Sequence, residues 1–187
     1  MEITFDGIAA LHFTDTFDLS QSSAGFLAGI FGFMNLFARA LGGIAADKVN
    51  KKYGMKGKGV LLAALLILEG VGIVWFAYAG SLTMAIISML GFALFLKMAN
   101  GTTYAITPFI NEKNVGMVSG IVGAGGNVGG MLFGFLFKSE TISYVEAFRY
   151  IGYIVIGVAV IVLLTRFITK EKTAPTELLE HPLVAQT

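Results

Sequence analysis

Apolar runs broken by short polar stretches divide this chain into six segments. Residues 23–46, 59–79, 82–106, 115–137 and 147–168 are each about as long as the roughly 20 residues a helix needs to cross a bilayer. The first run, residues 3–13, is about half that length and reads as the end of another helix. Between the runs lie a polar turn at 14–22 with Asp15 and Asp18, a lysine-rich stretch at 47–58, a tight turn at Gly80 and Ser81, a polar stretch at 108–114, and another at 138–145. A polar tail with Pro175 and Pro182 occupies residues 169–187 and is expected to be disordered. The pattern predicts an all-α membrane protein: a bundle over residues 1–168 of five full transmembrane helices plus the end of a sixth.

The fifth of these runs is unlike the others. Residues 116–134 read Gly-Met-Val-Ser-Gly-Ile-Val-Gly-Ala-Gly-Gly-Asn-Val-Gly-Gly-Met-Leu-Phe-Gly, with no charge and no proline. At roughly 100° per residue, Gly116, Gly120, Gly123, Asn127, Gly130 and Gly134 fall within an arc of about 80°, with Ser119 and Gly126 at its edge. Helices in lipid associate through close backbone packing, which small residues at spacings of three and four permit, so this bare face should meet another helix or a small solute. Asn127 lies in the middle of it. Hydrocarbon would leave its amide unsatisfied at a cost of several kcal/mol, so it should face protein, water or ligand.

Composition agrees with the pattern. Of 187 residues, 56% are hydrophobic and 13% charged, and the mean hydropathy is +0.78, far from a water-soluble domain. A net charge of +1 argues against nucleic acid as a partner, and the absence of cysteine excludes thiolate metal sites and cysteine nucleophiles. His12 and His181 are too few for a metal cluster. No nucleophile, base and orienting group occur together, so no enzyme, metal or cofactor is expected. Lys48, Lys51, Lys52, Lys56 and Lys58 make residues 47–58 the densest positive cluster, which the positive-inside rule places in the cytoplasm. The tail, following Arg166, Lys170 and Lys172, then returns to the cytoplasm. Residues 14–22 and 138–145 fall outside, and Trp75 and Tyr78 lie where an outer aromatic belt is expected.

Arg39 is the most informative single residue, because an arginine at mid-helix costs about 2.5–3.5 kcal/mol on insertion scales and usually marks an ion or substrate path. Gly25, Ala28, Gly32, Asn35, Gly42 and Gly43 share its side of the helix. The competing explanation is snorkelling to the headgroups, but Arg39 is about 12 Å along the helix from Asp47. Its guanidinium offers a planar fork of donors, suited to binding two oxygens of a planar oxyanion at once. Glu69 and Lys97 are also near mid-span on consecutive antiparallel helices and are candidates for a structural ion pair or for proton coupling. Lys97 is the stronger functional candidate, since Asn100, Gly101 and Tyr104 share its face and Pro108 is expected to end that helix. Asp47 can accept hydrogen bonds from a neighbouring helix terminus.

These motifs together resemble the nitrate/nitrite porters of the major facilitator superfamily. Gly-Ala-Gly-Gly-Asn-Val-Gly-Gly at 123–130 is similar to that family's glycine-rich signature in its eleventh helix. Phe33-Met34-Asn35-Leu36-Phe37-Ala38-Arg39 with Gly42-Gly43 resembles its eighth helix, whose arginine is a nitrate ligand. Residues 43–52 resemble the superfamily loop motif, with Asn50 where glycine is usual, and residues 101–108 resemble the tenth helix. The wording is nearer the proton-coupled high-affinity branch than the exchangers. The resemblance implies a secondary transporter of nitrate, with nitrite as a further substrate and protons as coupling ion, in the cell membrane. It implies also that this chain is the carboxy-terminal half, its partner being a missing amino-terminal six-helix half. The substrate-binding residues expected are Arg39, Asn35, Asn127, Gly123, Gly126, Gly130 and Tyr104, with Asp47, Glu69, Lys97 and Asn100 as structural or coupling residues. The alternatives are a carrier of another small anion and a non-transporting membrane subunit.

Overall fold

A computed structural model describes residues 2–138 and 142–165 as helices joined by short turns. The elements are α1 (Glu2–Phe17), α2 (Gln21–Phe33), α3 (Asn35–Ala77), α4 (Leu82–Ile110), α5 (Val115–Lys138) and α6 (Tyr144–Leu164). Among the described residues, four helical stretches are long and apolar enough to cross a membrane: Gln21–Ala77, which contains a turn at Met34 and a kink at Gly54, Leu82–Ile110, Val115–Lys138 and Tyr144–Leu164. The tail at 169–187, residues 166–168 of the last expected span and part of the 138–145 turn lie outside the described residues.

Helix starts follow local chemistry. Ser20, Ser81 and Ser143 each sit in extended backbone, and each hydroxyl accepts a bond from the amide three residues on, satisfying one of the free donors of α2, α4 and α6. At α6 Glu146 returns the bond to the Ser143 amide, completing a capping box. This starts α6 at Tyr144, three residues before the expected 147.

Beyond shifts at helix ends, such as α1 running on to Phe17 through part of the expected polar turn at 14–22, three boundaries differ from the sequence expectation. The expected loop at 47–58 is helical up to Tyr53, and α3 resumes directly after Gly54, which has φ 62° and ψ −160°. Only glycine takes that conformation without strain, so the chain reverses there in one residue. The lysines before it are good helix formers, and their charge alone did not interrupt the helix. The second difference is between residues 33 and 35, where a turn at Met34 divides the expected 23–46 helix into α2 and the start of α3, although Met34 keeps right-handed helical angles.

The third is Pro108, which lies inside α4 instead of ending it. Proline has no amide hydrogen to offer the carbonyl four residues back. That carbonyl, on Tyr104, accepts a bond from the Thr107 hydroxyl at 3.0 Å instead, so the helix runs on to Ile110.

Aromatic rings from five helices fill one end of the core. Phe5, Phe31, Phe76, Phe92 and Phe148 are buried, with centroids 4.4 Å apart for Phe5 and Phe31 and 5.1 Å for Phe76 and Phe148. His12 is buried among them and lies 3.2 Å by Nδ1 from the Thr16 hydroxyl. Backbone contact occurs at two glycine pairs. A Cβ on Gly42 would strike the Met98 backbone and one on Gly101 the Arg39 carbonyl, while Gly70 and Gly152 each face the other's carbonyl, within 2.9 Å of a would-be Cβ. The first pair locks α3 to α4, helped by the Thr102 hydroxyl donating to the Gly42 carbonyl at 3.2 Å. The second locks α3 to α6.

The glycine-rich helix is arranged differently. Space for a Cβ is open at Gly116, Gly120, Gly125, Gly126, Gly129 and Gly134; Gly123 faces the Tyr104 hydroxyl, and Gly130 is buried. The close helix crossings therefore belong to α3, α4 and α6, and most of the α5 stripe meets no backbone among the described residues.

Candidate functional site

Four helices line an open cavity of about 670 Å³ that contains most of the polar residues singled out from the sequence. From α3 come Arg39 and Glu69; from α4, Asn100, Thr103 and Tyr104; from α5, Gly123, Gly126, Asn127 and Gly129; from α6, Ile154, Val155 and Val158. Arg39 reaches this space because Gly101 brings the α4 backbone against its carbonyl. One face of α4 then presents Asn100, Thr103 and Tyr104 together, at spacings of three and four residues.

Arg39 is half-buried and its guanidinium carbon lies 4.8 Å from the centre of the Tyr104 ring. The cation thus lies over the ring face in a cation–π contact. The Tyr104 hydroxyl in turn lies 3.2 Å from where a Cβ on Gly123 would be. A glycine at 123 thus lets α5 approach the tyrosine that orients the arginine. The cavity so formed has one cation, one carboxylate from Glu69, an aromatic wall, two side-chain amides and an apolar side supplied by α6. It is shaped to receive a small polar solute, with donors from Arg39, Asn100 and Asn127.

Other expected residues lie apart from it. Asn35, one helical turn before Arg39, and Gly130, next to Gly129, are not among the lining residues. Lys97 is fully buried with its ammonium 4.4 Å above the Phe31 ring, towards the aromatic core. Of the Glu69/Lys97 pair, Glu69 lines the cavity and Lys97 does not. Spacing on α4 could not reveal this, because the side of Lys97 is decided by where α2 packs.

Asp47 accepts a bond from Lys58 at 3.1 Å, and Lys58 also donates to the Ala105 carbonyl at 2.8 Å. Lys58 is wholly buried, whereas Lys48, Lys51, Lys52 and Lys56 of the same cluster are exposed. Its partner is its own helix's other arm, brought back by the Gly54 reversal.

The apolar wall from α6 had no signal in the sequence, since Ile154, Val155 and Val158 carry no chemistry. Thr103 could have been found from its position between Asn100 and Tyr104.

The role of Gly123 has a direct check. In a complete transporter of the kind the resemblance implies, Gly123→Leu should displace Tyr104 and lower solute uptake about tenfold or more, the equivalent of roughly 1.4 kcal/mol and within the usual cost of overpacking. Gly125→Leu, where a Cβ meets nothing within 4 Å, should stay within about twofold. Initial uptake normalised to protein in the membrane decides it, and equal losses would show that the position on the helix does not matter.

Comparison with known proteins agrees with this architecture. The profile of the Major Facilitator Superfamily matches residues 2–185. High affinity nitrate transporter 2.5 of Arabidopsis thaliana is 43% identical over 140 residues, which cover 73% of this chain and 27% of that protein. Nitrate transporter 2.1 of Chlamydomonas reinhardtii is 37% identical over 167 residues, 84% of this chain and 30% of the relative. Elsinochrome transporter 1 of Elsinoe fawcettii is 35% identical over 164 residues, 85% of this chain and 32% of the relative. The chain therefore spans about a third or less of the length of these relatives. No solved structure matches it. This all-helical, multi-pass membrane chain belongs to the major facilitator superfamily, with a resemblance to the nitrate/nitrite porters within it.

Proposed function

We propose that the chain forms the second half of a secondary transporter for nitrate, with nitrite as a further substrate, and that the Arg39 cavity is its half of the anion site. The observation that carries this reading is the stacked Arg39–Tyr104 pair facing Asn100, Asn127 and a glycine surface in one cavity. Nitrate is planar, small and singly charged, and a guanidinium edge can donate two parallel bonds to two of its oxygens. Arg39, Asn127, Gly123, Gly126 and Tyr104 bind the anion. Asn35 and Gly130 support that surface from behind, and Glu69, Asn100, Lys97 and Asp47 serve structure or coupling. In this reading protons are the coupling ion.

In this reading Gln21–Ala77 crosses the bilayer twice, reversing at Gly54, so the bundle over residues 1–168 has five full crossings with α1 as the end of a sixth. The open stripe of α5 is the face that meets the amino-terminal six-helix half, because transporters of this design bind substrate at the midplane between two repeats. Residues 47–58 and the tail at 169–187 are cytoplasmic, by their lysines.

Two measurements test this. Cells co-producing this chain with an amino-terminal six-helix half should take up nitrate, with competition from nitrite and chlorate but not from carboxylates, and cells with the chain alone should not. Uptake by the chain alone would overturn the two-half arrangement, and competition by carboxylates alone would point to a carrier of another anion. For topology, a cysteine at Lys51 should react with an impermeant maleimide only after the cells are opened. Labelling from outside would invert every orientation given above.

A further inference from the structure

The reversal at Gly54 creates a second concave surface, on the side of α3 away from the anion cavity. Val49 and Tyr53 on one arm face Gly57, Val60 and Leu61 on the other across a groove of about 610 Å³, with Lys56 at its edge. That volume is within the range of about 300–1,000 Å³ typical of small-molecule sites. The floor depends on Gly57, since a Cβ there would lie 2.6 Å from the Tyr53 Cβ and 2.7 Å from a Val49 methyl. Tyr53 and Val60 are 61% and 59% exposed, so the apolar walls are open to their surroundings.

Charge distribution identifies what belongs there. Asp47 is the only acid in residues 47–58, and Lys58 is already bonded to it. Lys48, Lys51, Lys52 and Lys56 are exposed, and the Lys52 ammonium lies 5.2 Å from the centre of the Tyr53 ring. An apolar groove therefore runs beneath a rim that is cationic on balance, at the depth where a helix leaves the hydrocarbon. We propose that this groove binds an anionic phospholipid, with an acyl chain between the two arms of α3 and the headgroup phosphate on Lys52 and Lys56. The chemistry fits because phosphate satisfies ammonium donors while the tail covers Tyr53 and Val60. The assignment needs residues 47–58 at the membrane surface, but it does not depend on nitrate.

The test uses the purified 187-residue chain in mild detergent, offered equal amounts of phosphatidylglycerol and phosphatidylcholine of the same acyl composition, with retained lipid counted by native mass spectrometry. Phosphatidylglycerol should be retained preferentially, by about fivefold for each lysine engaged and so roughly 25-fold for two. Lys52→Gln with Lys56→Gln should abolish the preference. Val60→Trp should reduce retention of both lipids, and Lys113→Gln, outside the groove, should change neither. Soluble glycerol phosphate should not displace the lipid. The proposal is overturned by equal retention of the two lipids, by a preference that survives the double lysine change, by undiminished retention in the tryptophan variant, or by displacement with glycerol phosphate. The substituted side chains are exposed, so folding is not at stake. No nitrate is present, so a failure here is separable from a failure of the transport reading.

Discussion

Arg39→Lys should lower nitrate uptake by the assembled transporter roughly 10- to 100-fold while leaving the quantity of protein in the membrane unchanged, as expected for the loss of one charge-assisted hydrogen bond of about 1.5–3 kcal/mol. Lysine keeps the positive charge but presents a point cation that cannot form two parallel bonds to a planar anion. It would also sit differently over Tyr104, whose ring now lies 4.8 Å from the guanidinium carbon. Membrane insertion tolerates either cation, so the loss should appear in transport alone. Tyr104→Phe is the informative companion, because it keeps the ring beneath the arginine and removes only the hydroxyl that faces Gly123. Its uptake should fall much less. Wild-type affinity and rate in the lysine variant would dismiss bidentate recognition and leave snorkelling or simple neutralisation as the role of Arg39.

The second large effect is on folding. Gly101→Leu should remove most of the protein from the membrane, and even Gly101→Ala should lower its melting temperature in detergent. A Cβ at this position would enter the Arg39 carbonyl and lie 3.1 Å from the Gly43 amide nitrogen. Both are backbone atoms, so no rotamer change can relieve the overlap and α3 must move off α4. That separation breaks the bond from Thr102 to the Gly42 carbonyl and exposes Gly42 itself. Overpacking in a core costs about 1–3 kcal/mol where side chains can yield, and more where they cannot. Gly116→Ala, with open space around it, is the matched control and should melt like the native chain. Unchanged melting for Gly101→Ala would mean that the α3–α4 crossing is looser than its geometry implies.

Much of this architecture was legible because a bilayer enforces it. Apolar length located the helices, and the cost of burying Arg39 and Asn127 in hydrocarbon pointed both towards a common interior. Features set by packing were harder to see. α5 is the helix densest in glycine, yet Gly42 and Gly101 sit where α3 and α4 bring backbone against backbone, because crossing points depend on how two helices are inclined. Lys58 looked like one more surface lysine until the Gly54 reversal brought it to Asp47 and Ala105. Glu69 and Lys97 both lie near mid-span in their helices, and nothing in their spacing says which one faces the cavity and which the Phe31 ring. Gly54 was readable as a turn residue, but not as the only interruption in a lysine-rich helix.

The hydroxyl of Thr107 spans a gap that has a mechanical meaning. Where Pro108 withholds an amide from Tyr104, the backbone ladder of α4 is missing a rung, and a side-chain bond of 3.0 Å fills it. The same hydroxyl is 3.2 Å from Ser119 on α5. Bending α4 here breaks no backbone hydrogen bond, so this is its point of least stiffness, directly at the residue on which Arg39 stacks. A rotamer change at Thr107 would therefore do two things together: it would release the joint in α4 and uncouple α5 from it. Tyr104 and the glycine helix opposite it share one small, reversible fastening.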